Sequence, residues 1–210
     1  MKLIDQSHEI LTPLNNEAVI EHIEQCGRVC YKSEDKIKPG SGEKFVSRLL
    51  HDYKHESVIE HFNISVRFIT NRGVTHELVR HRMASFSQES TRYCNYSKEK
   101  FGKELTFIKP VWGDDSISYH NFRIVLGSIE KEYFNLINHG WTAQQAREVL
   151  PNALKTEIIV TTNLREWRHI LKLRSAKAAH PQIRELMRNL LEDFNSKIPV
   201  FFSDIIENNA

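Results

Sequence analysis

The alternation of apolar and polar residues predicts few strands and many helices. Phe62, Ile64, Val66 and Phe68 alternate with Asn63, Ser65 and Arg67, the period-two pattern of a half-buried strand. Residues 1–13 read as a short strand or extended lead ending at Pro13. Val19, Ile20, Ile23, Cys26 and Cys30 share one helical face, which predicts a helix over about 16–31. Lys32 to Gly42 is polar, contains Pro39-Gly40 and reads as a loop. Ser41 is placed as the cap of a helix carrying Phe45, Val46, Leu49, Leu50 and Tyr53. After the strand, Asn71-Arg72-Gly73 turns the chain into a short helix through Val74, Leu78 and Val79. Residues 85–96 have no apolar period and read as loop or irregular strand, and Leu105 to Val111 as a weak strand.

The longest periodic stretch holds Phe122, Val125, Leu126, Ile129, Tyr133, Leu136 and Ile137, a helix over about 114–139 ended by Gly140. Thr142 with Gln145 makes a capping box for a short helix to Leu150. Ile158 to Val160 read as a buried strand. Asn163 with Glu166 repeats the cap signature, ahead of Leu164, Trp167, Ile170 and Leu171, with Arg174 near the same stripe. His180-Pro181 opens a last helix with Ile183, Leu186, Met187, Leu190, Leu191 and Phe194 inward. Strands are few and no strand–helix–strand rhythm occurs, so the class is α+β. The expected architecture is one domain over 1–210, with a small, mainly antiparallel sheet packed with several helices, one of them long and central.

Composition narrows the partners. The 210 residues suffice for a sizeable core. A net charge of +2 gives no argument for nucleic acid or a membrane surface. No signal-like run and no stretch of membrane-spanning length occurs, so the cytoplasm is expected. Cys26, Cys30 and Cys94 are too few and too irregular for a disulfide framework, and the first two are expected as buried thiols on a helix face. His55 and His61 mimic a zinc-protease motif, but the residue four after His55 is Ile59. No metal is expected. Gly40-Ser41-Gly42 lacks the third glycine and the Gly-Lys-Ser/Thr ending of a phosphate loop.

Within this balanced chain, residues 80–93 gather Arg80, His81, Arg82 and Arg92 among Ser85, Ser87, Ser90 and Thr91. Arginine forks beside hydroxyl donors suit a small anionic ligand, phosphate above all. Arg147, beside Val149-Leu150-Pro151, and Arg174 each read two ways. Each either caps a helix C-terminus or is held near the core for an anion supplied by a ligand or another subunit. Cys94 reads as a nucleophile with a pKa lowered by nearby arginine, or as an ordinary loop thiol, since no histidine base adjoins it in sequence.

Arg80-His81-Arg82, seven residues and Ser90 resemble the Arg-His-Arg-x7-Ser signature of the flavin-dependent thymidylate synthases. His55-Glu56-Ser57 with Glu60-His61 is similar to that family's upstream segment. Arg147 before Leu150-Pro151, Asn163-Leu164-Arg165 and Leu173-Arg174 resemble its downstream elements, in order. The likeness covers roughly residues 50–195. It implies that deoxyuridylate (dUMP) becomes thymidylate (dTMP), with carbon from 5,10-methylenetetrahydrofolate, hydride from reduced FAD, and NADPH reducing the flavin. It also implies a homotetramer with active sites built from several subunits.

By position, the resemblance assigns Ser57, Arg80, His81, Arg82, Gln88, Asn163, Arg165 and His169 to FAD. It assigns Glu77, Arg80, Gln88, Glu89, Ser90, Thr91, Arg92, Arg147 and Arg174 to dUMP. Arg174 falls at the pyrimidine edge, where a cation stabilises charge on N3 and the C4 oxygen. Ser90 takes a binding and polarising role rather than a nucleophilic one. Both are the expected catalytic positions. His55 and Tyr93 are expected near folate and flavin. His169 stands where some members have Asn, and Ser57 replaces the commoner Thr. The 174–180 segment is longer than in some members, so His180 is left out of the flavin set. Two other readings remain: a non-catalytic nucleotide-phosphate-binding module, and a thymidylate synthase using Cys94.

Overall fold

The two longest strands, β3 (Asn63–Asn71) and β6 (Lys155–Asn163), bury every second residue, as their sequence alternation demands. The computed structural model of the protein describes residues 1–112 and 116–209, the last two without their side chains. With β2 (Ser7–Ile10) and β4 (Ser85–Gln88), the long strands form a four-stranded sheet in the order β2-β3-β6-β4. Its pairing is antiparallel. Along β3 and β6, Ser65 meets Thr161 while Phe62 meets Leu164, so one strand descends as the other climbs. A second sheet pairs β1 (Lys2–Ile4) in parallel with β5 (Thr106–Ile108), in the register Lys2 to Thr106. The fold is α+β, as expected.

The chain divides into two compact units. The first comprises Met1–Ser7, Phe68–Arg80 and Phe86–Ile159. Its core joins Leu105, Phe107 and Leu154 to Leu126 and Tyr133, which lie two turns apart on α4 (Ile117–Asn138). The expected helix start near 114 lies outside the described residues. Ser116 caps α4 through a bond from the Tyr119 amide, and Gly140 at φ +92° lets the chain leave it. Asn71 caps α3 (Arg72–Leu78). Thr142 and Gln145 form the full capping box of α5 (Ala143–Ala146), which tightens into a 3-10 turn at Arg147–Val149.

The second unit comprises His8–Arg67, His81–Ser85 and the chain from Val160 on. Here α1 (Asn16–Val29) packs on α2 (Ser41–Ser47) through two glycines. A Cβ at Gly42 would lie 2.5 Å from the Ile20 side chain, and one at Gly27 2.7 Å from the Phe45 ring. The expected Ser41 cap is not made. Gly40, at φ +78°, is the N-cap, and the Ser41 hydroxyl donates to Glu24 at 2.7 Å instead. The two thiols of α1 are not buried either: Cys30 is exposed and Cys26 half-buried. The buried stripe of α1 runs through Val19, Ile20, Ile23 and Gly27, and the helix ends before Cys30 can extend it. A π-helical turn at Arg48–Asp52 follows α2, then a 3-10 turn at Glu56–His61. The helices α6 (Leu164–Arg174), α7 (Pro181–Lys197) and α8 (Ser203–Asn209) complete the unit around Trp167, Phe194, Phe201 and Phe202. Burying each such ring is worth about 2–3 kcal/mol. Among the described residues, no helix is long and apolar enough to cross a membrane.

Candidate functional site

In the second unit the resemblance-derived residues meet around His81, whose ring is buried. Asn163, at the end of β6, caps α6 by accepting from the Glu166 amide at 2.9 Å. That turn of helix brings Glu166 to 3.5 Å from Nδ1 of His81 and sets the His169 ring edge-on to it, with centroids 5.8 Å apart. From the last turn of α6, Nε of Arg174 donates to Nε2 of His81 at 3.1 Å. Burial, then the neighbouring Arg174 and His169, lower the His81 pKa to about 4. The ring is therefore neutral near pH 7 and adds no second positive charge beside the arginine. Burial pushes the Glu166 carboxyl upward. One donor atom from each of His81, Glu166 and His169 lies within 4.8 Å of the others, a spacing a metal could bridge. The Arg174 guanidinium beside them opposes a second cation.

The 3-10 turn bearing Ser57 is clamped to α6 from below. Glu56 receives Arg168 at 3.3 Å, Lys172 at 3.6 Å and Arg165 at 3.9 Å. Arg165 also donates to Glu60 at 2.6 Å. The three cations lie on one face of α6 because their spacing follows the helical period. Ser57 itself is exposed. With His55 it lines a groove of about 1140 Å³, to which Arg28, Lys36, Lys44 and Arg48 bring positive charge.

The first unit carries the loop from Gln88 to Arg92, which is expected to bind the nucleotide. Gln88, the last residue of β4, donates to Thr75 at 3.0 Å and Thr156 at 3.4 Å. Glu89 accepts from the Tyr96 hydroxyl at 2.9 Å and from Lys155 at 3.0 Å. Burial works against the Lys155 charge, yet its bonds to Glu157 and Glu89 hold its pKa above the ordinary value. With Glu89 anchored, Ser90 starts a turn whose carbonyl accepts from the Tyr93 and Cys94 amides. Thr91 is buried in it, while Arg92 and Tyr93 are exposed. Nε of Arg92 donates to Gln144 at 2.9 Å, one helical turn before Arg147. Arg147 is half-buried and lies 3.5 Å from Glu148.

Of the positions expected at FAD, Ser57, His81, Arg82, Asn163, Arg165 and His169 fall in the second unit, and Arg80 and Gln88 in the first. Of those expected at dUMP, Glu77, Arg80, Gln88, Glu89, Ser90, Thr91, Arg92 and Arg147 fall in the first, and Arg174 in the second. Arg80 and Arg82 are exposed and Glu77 is half-buried on α3. The Cys94 thiol is pushed up by burial and by Glu89, the reverse of the lowering that a nearby arginine suggested. Sequence reasoning missed Arg168, Lys155 and Tyr96. Arg168 was legible: it stands four residues after Leu164 and three before Leu171, on the buried face of α6. Lys155 and Tyr96 carry no local signal, because their partner Glu89 is brought to them by the fold.

Residues 15–200 match the family model described as thymidylate synthase complementing protein. The chain is 37% identical over 164 residues to the flavin-dependent thymidylate synthase of Pyrococcus furiosus, across 77% of this chain and 66% of that one. It is 33% identical over 200 residues to the Mycobacterium tuberculosis protein of the same name, across 87% and 78%. Among solved structures, a UMP/dUMP methylase PolB from Streptomyces cacaoi bound with 5-Br dUMP superposes with a TM-score of 0.76 at 22% identity, over 97% and 96% of the two chains. Thymidylate Synthase X (ThyX) from Helicobacter pylori, with FAD and dUMP, gives 0.74 at 22% identity, over 95% and 98%. At that identity these two speak for the fold alone.

Proposed function

Because the chain belongs to the flavin-dependent thymidylate synthase family, we propose that it reductively methylates dUMP to dTMP, as one domain over its whole length. Carbon comes from 5,10-methylenetetrahydrofolate, and NADPH is the reductant. The observation that carries this reading is the His81–Arg174 pair. A guanidinium is held by its Nε against a neutral imidazole, which fixes its direction and adds no charge of its own beside it. Set at the pyrimidine, that charge stabilises negative charge developing on N3 and the C4 oxygen, which makes C5 nucleophilic.

The residues present suit FAD. Exposed arginines at 80, 82 and 165 match a diphosphate, the Ser57 hydroxyl is open to solvent, and the neutral His81 and exposed His169 offer polar ring edges. When bound, FAD supplies the hydride that completes the methyl group. The protein's own part is binding and orientation. Ser90 and Arg92 hold the nucleotide phosphate, Glu77, Arg80, Gln88, Glu89, Thr91 and Arg147 hold the rest of dUMP, and Arg174 polarises the base. Ser90 binds rather than attacks: among the described residues no base is hydrogen-bonded to its hydroxyl, which accepts from the Arg92 amide at 3.3 Å. The raised Cys94 pKa argues against a thiolate nucleophile. A homotetramer in the cytoplasm, with active sites shared between subunits, is part of the same reading. The test is an absorbance spectrum of the purified protein, followed by NADPH oxidation with and without dUMP. A yellow protein whose dTMP output requires dUMP, folate and NADPH supports it. A colourless protein that takes up no added FAD overturns it in favour of a nucleotide-binding module.

A further inference from the structure

We propose that Glu166 is a positioning residue: its carboxylate keeps the His81 proton on Nδ1, so that the bare Nε2 can take the Nε–H of Arg174 and fix the orientation of that guanidinium. The inference rests on the reading of Arg174 as the pyrimidine-facing cation.

Arginine has donors and no acceptor. A contact of 3.1 Å from Arg174 Nε to His81 Nε2 therefore requires a bare Nε2. A neutral imidazole with a bare Nε2 carries its proton on Nδ1. That nitrogen faces Glu166 Oε1 at 3.5 Å, between side chains that are 5% exposed on the histidine and 15% on the glutamate. His169 is the other titratable ring against His81 and meets it edge to face.

A second observation comes from the cap. Glu166 is the third residue of α6, the position from which an acid or amide ordinarily reaches back to the N-cap amide. Gln145 does so in α5. In α6 only half of the box is made: Asn163 accepts from the Glu166 amide, while the Glu166 side chain turns to His81. The carboxylate gives up a bond it could have made locally and takes a partly buried place at the ring instead.

The consequence of losing it is directional. With the proton on Nε2, two donors would face each other across 3.1 Å, and the guanidinium would have to rotate away. Loss of a hydrogen bond to a charged group weakens what depends on it by about tenfold or more.

Ring-15N-labelled histidine distinguishes bare from protonated nitrogens by NMR, and His81→Gln identifies the His81 signals in the protein as purified. The wild type should show a bare Nε2. Glu166→Ala should show a protonated Nε2 fraction, and its dUMP dissociation constant by calorimetry should rise about tenfold. Glu166→Gln should restore both, because its amide oxygen presents the negative end of a dipole to Nδ1 at the same place. Arg174→Ala should leave the proton on Nδ1, since Glu166 remains. The proposal is overturned if the Glu166→Ala ring is unchanged, if Glu166→Gln behaves like Glu166→Ala, or if Arg174→Ala alone moves the proton. This last arm decides the matter even where Glu166→Ala fails to fold. If Arg174→Ala leaves dUMP affinity and turnover at wild-type levels, the functional reading of Arg174 has failed, while the NMR result still judges the role of Glu166.

Discussion

Replacing Arg168 with alanine is expected to destabilise the second unit by about 3 kcal/mol. The guanidinium is 2% exposed and donates to both Asp204 oxygens at 2.8 Å. It also reaches Glu56 at 3.3 Å and donates to the Phe201 carbonyl. Breaking a buried ion pair costs about 3–5 kcal/mol when the partner charges are left behind. Asp204 and Glu56 keep 26% and 27% of their side-chain exposure, so water takes over part of the lost solvation and the lower figure applies. Urea unfolding followed by tryptophan fluorescence is the assay, with the fully buried Trp167 next in the chain as reporter. At a slope of about 2 kcal/mol/M, the midpoint should fall by about 1.5 M. Combined with Asp204→Asn, the loss should be less than additive by about 1–3 kcal/mol. Acid supplies an independent check. Burial raises the Asp204 pKa, but the Arg168 hydrogen bond and the charges of Arg168, Lys172 and His51 together outweigh it, and the net shift is downward from 3.8. A depressed carboxylate stabilises fully above its unfolded pKa, and that stability is lost as pH falls through the lower folded value. The gap between wild type and Arg168→Ala should therefore narrow below pH 3.8. A midpoint within about 0.3 M of wild type at unchanged slope, or strict additivity with Asp204→Asn, would refute the reasoning.

Arg174→Ala should nearly abolish dTMP formation while the flavin absorbance stays; unchanged turnover removes its assigned role. Cys94→Ala should keep activity, measured as dTMP formed per flavin, and complete loss would restore the thiol mechanism. The lowered His81 pKa carries a third expectation. Its folded value of about 4 lies below the unfolded 6.5, so its contribution is full above 6.5 and is lost as pH falls toward 4. Unfolding free energies at pH 7 and 5 should differ by about 2 kcal/mol from this group, and His81→Gln should remove that part of the slope; an equal slope in the variant would count against a neutral buried ring.

Periodicity revealed the elements that bury a face: β3, α1, α4, α6 and α7 stand where their apolar spacing puts them. The capping box of α5 and the Asn163 cap were readable because they are local chemistry. The segment from Ser85 to Gln88 was not readable as regular structure, since its pairing comes from β6 and not from its own pattern. The Lys2–Thr106 pairing spans half the chain and leaves no local trace. The 3-10 turn at Pro199–Phe201 and α8 went unread, although Phe201, Phe202 and Ile205 are buried there. The site divided in the same way. The Arg-His-Arg triplet and the Ser90 loop were found as clusters in sequence, whereas the partners that hold them, Glu166, Lys155, Tyr96 and Gln144, arrive through folding.

Seven residues separate Arg82 from Ser90, and only Gln88 and Glu89 among them are expected at a ligand. Their path along β6 makes them a ruler. At one end Thr162 donates to the Met83 carbonyl at 2.6 Å, and at the other the Glu89 amide donates to Glu157 at 2.9 Å. Between these anchors the strand alternates its side chains, so that Ser85 and Ser87 point out while Gln88 turns in. Removing or adding one residue would exchange the two faces at a stroke, expelling Gln88 from Thr75 and Thr156 and rotating Ser90 out of its turn. Substitutions at Ser85 or Ser87 leave that count intact. The interval is thus constrained in length as well as at Gln88 and Glu89, while its outward positions Ser85 and Ser87 are open to substitution.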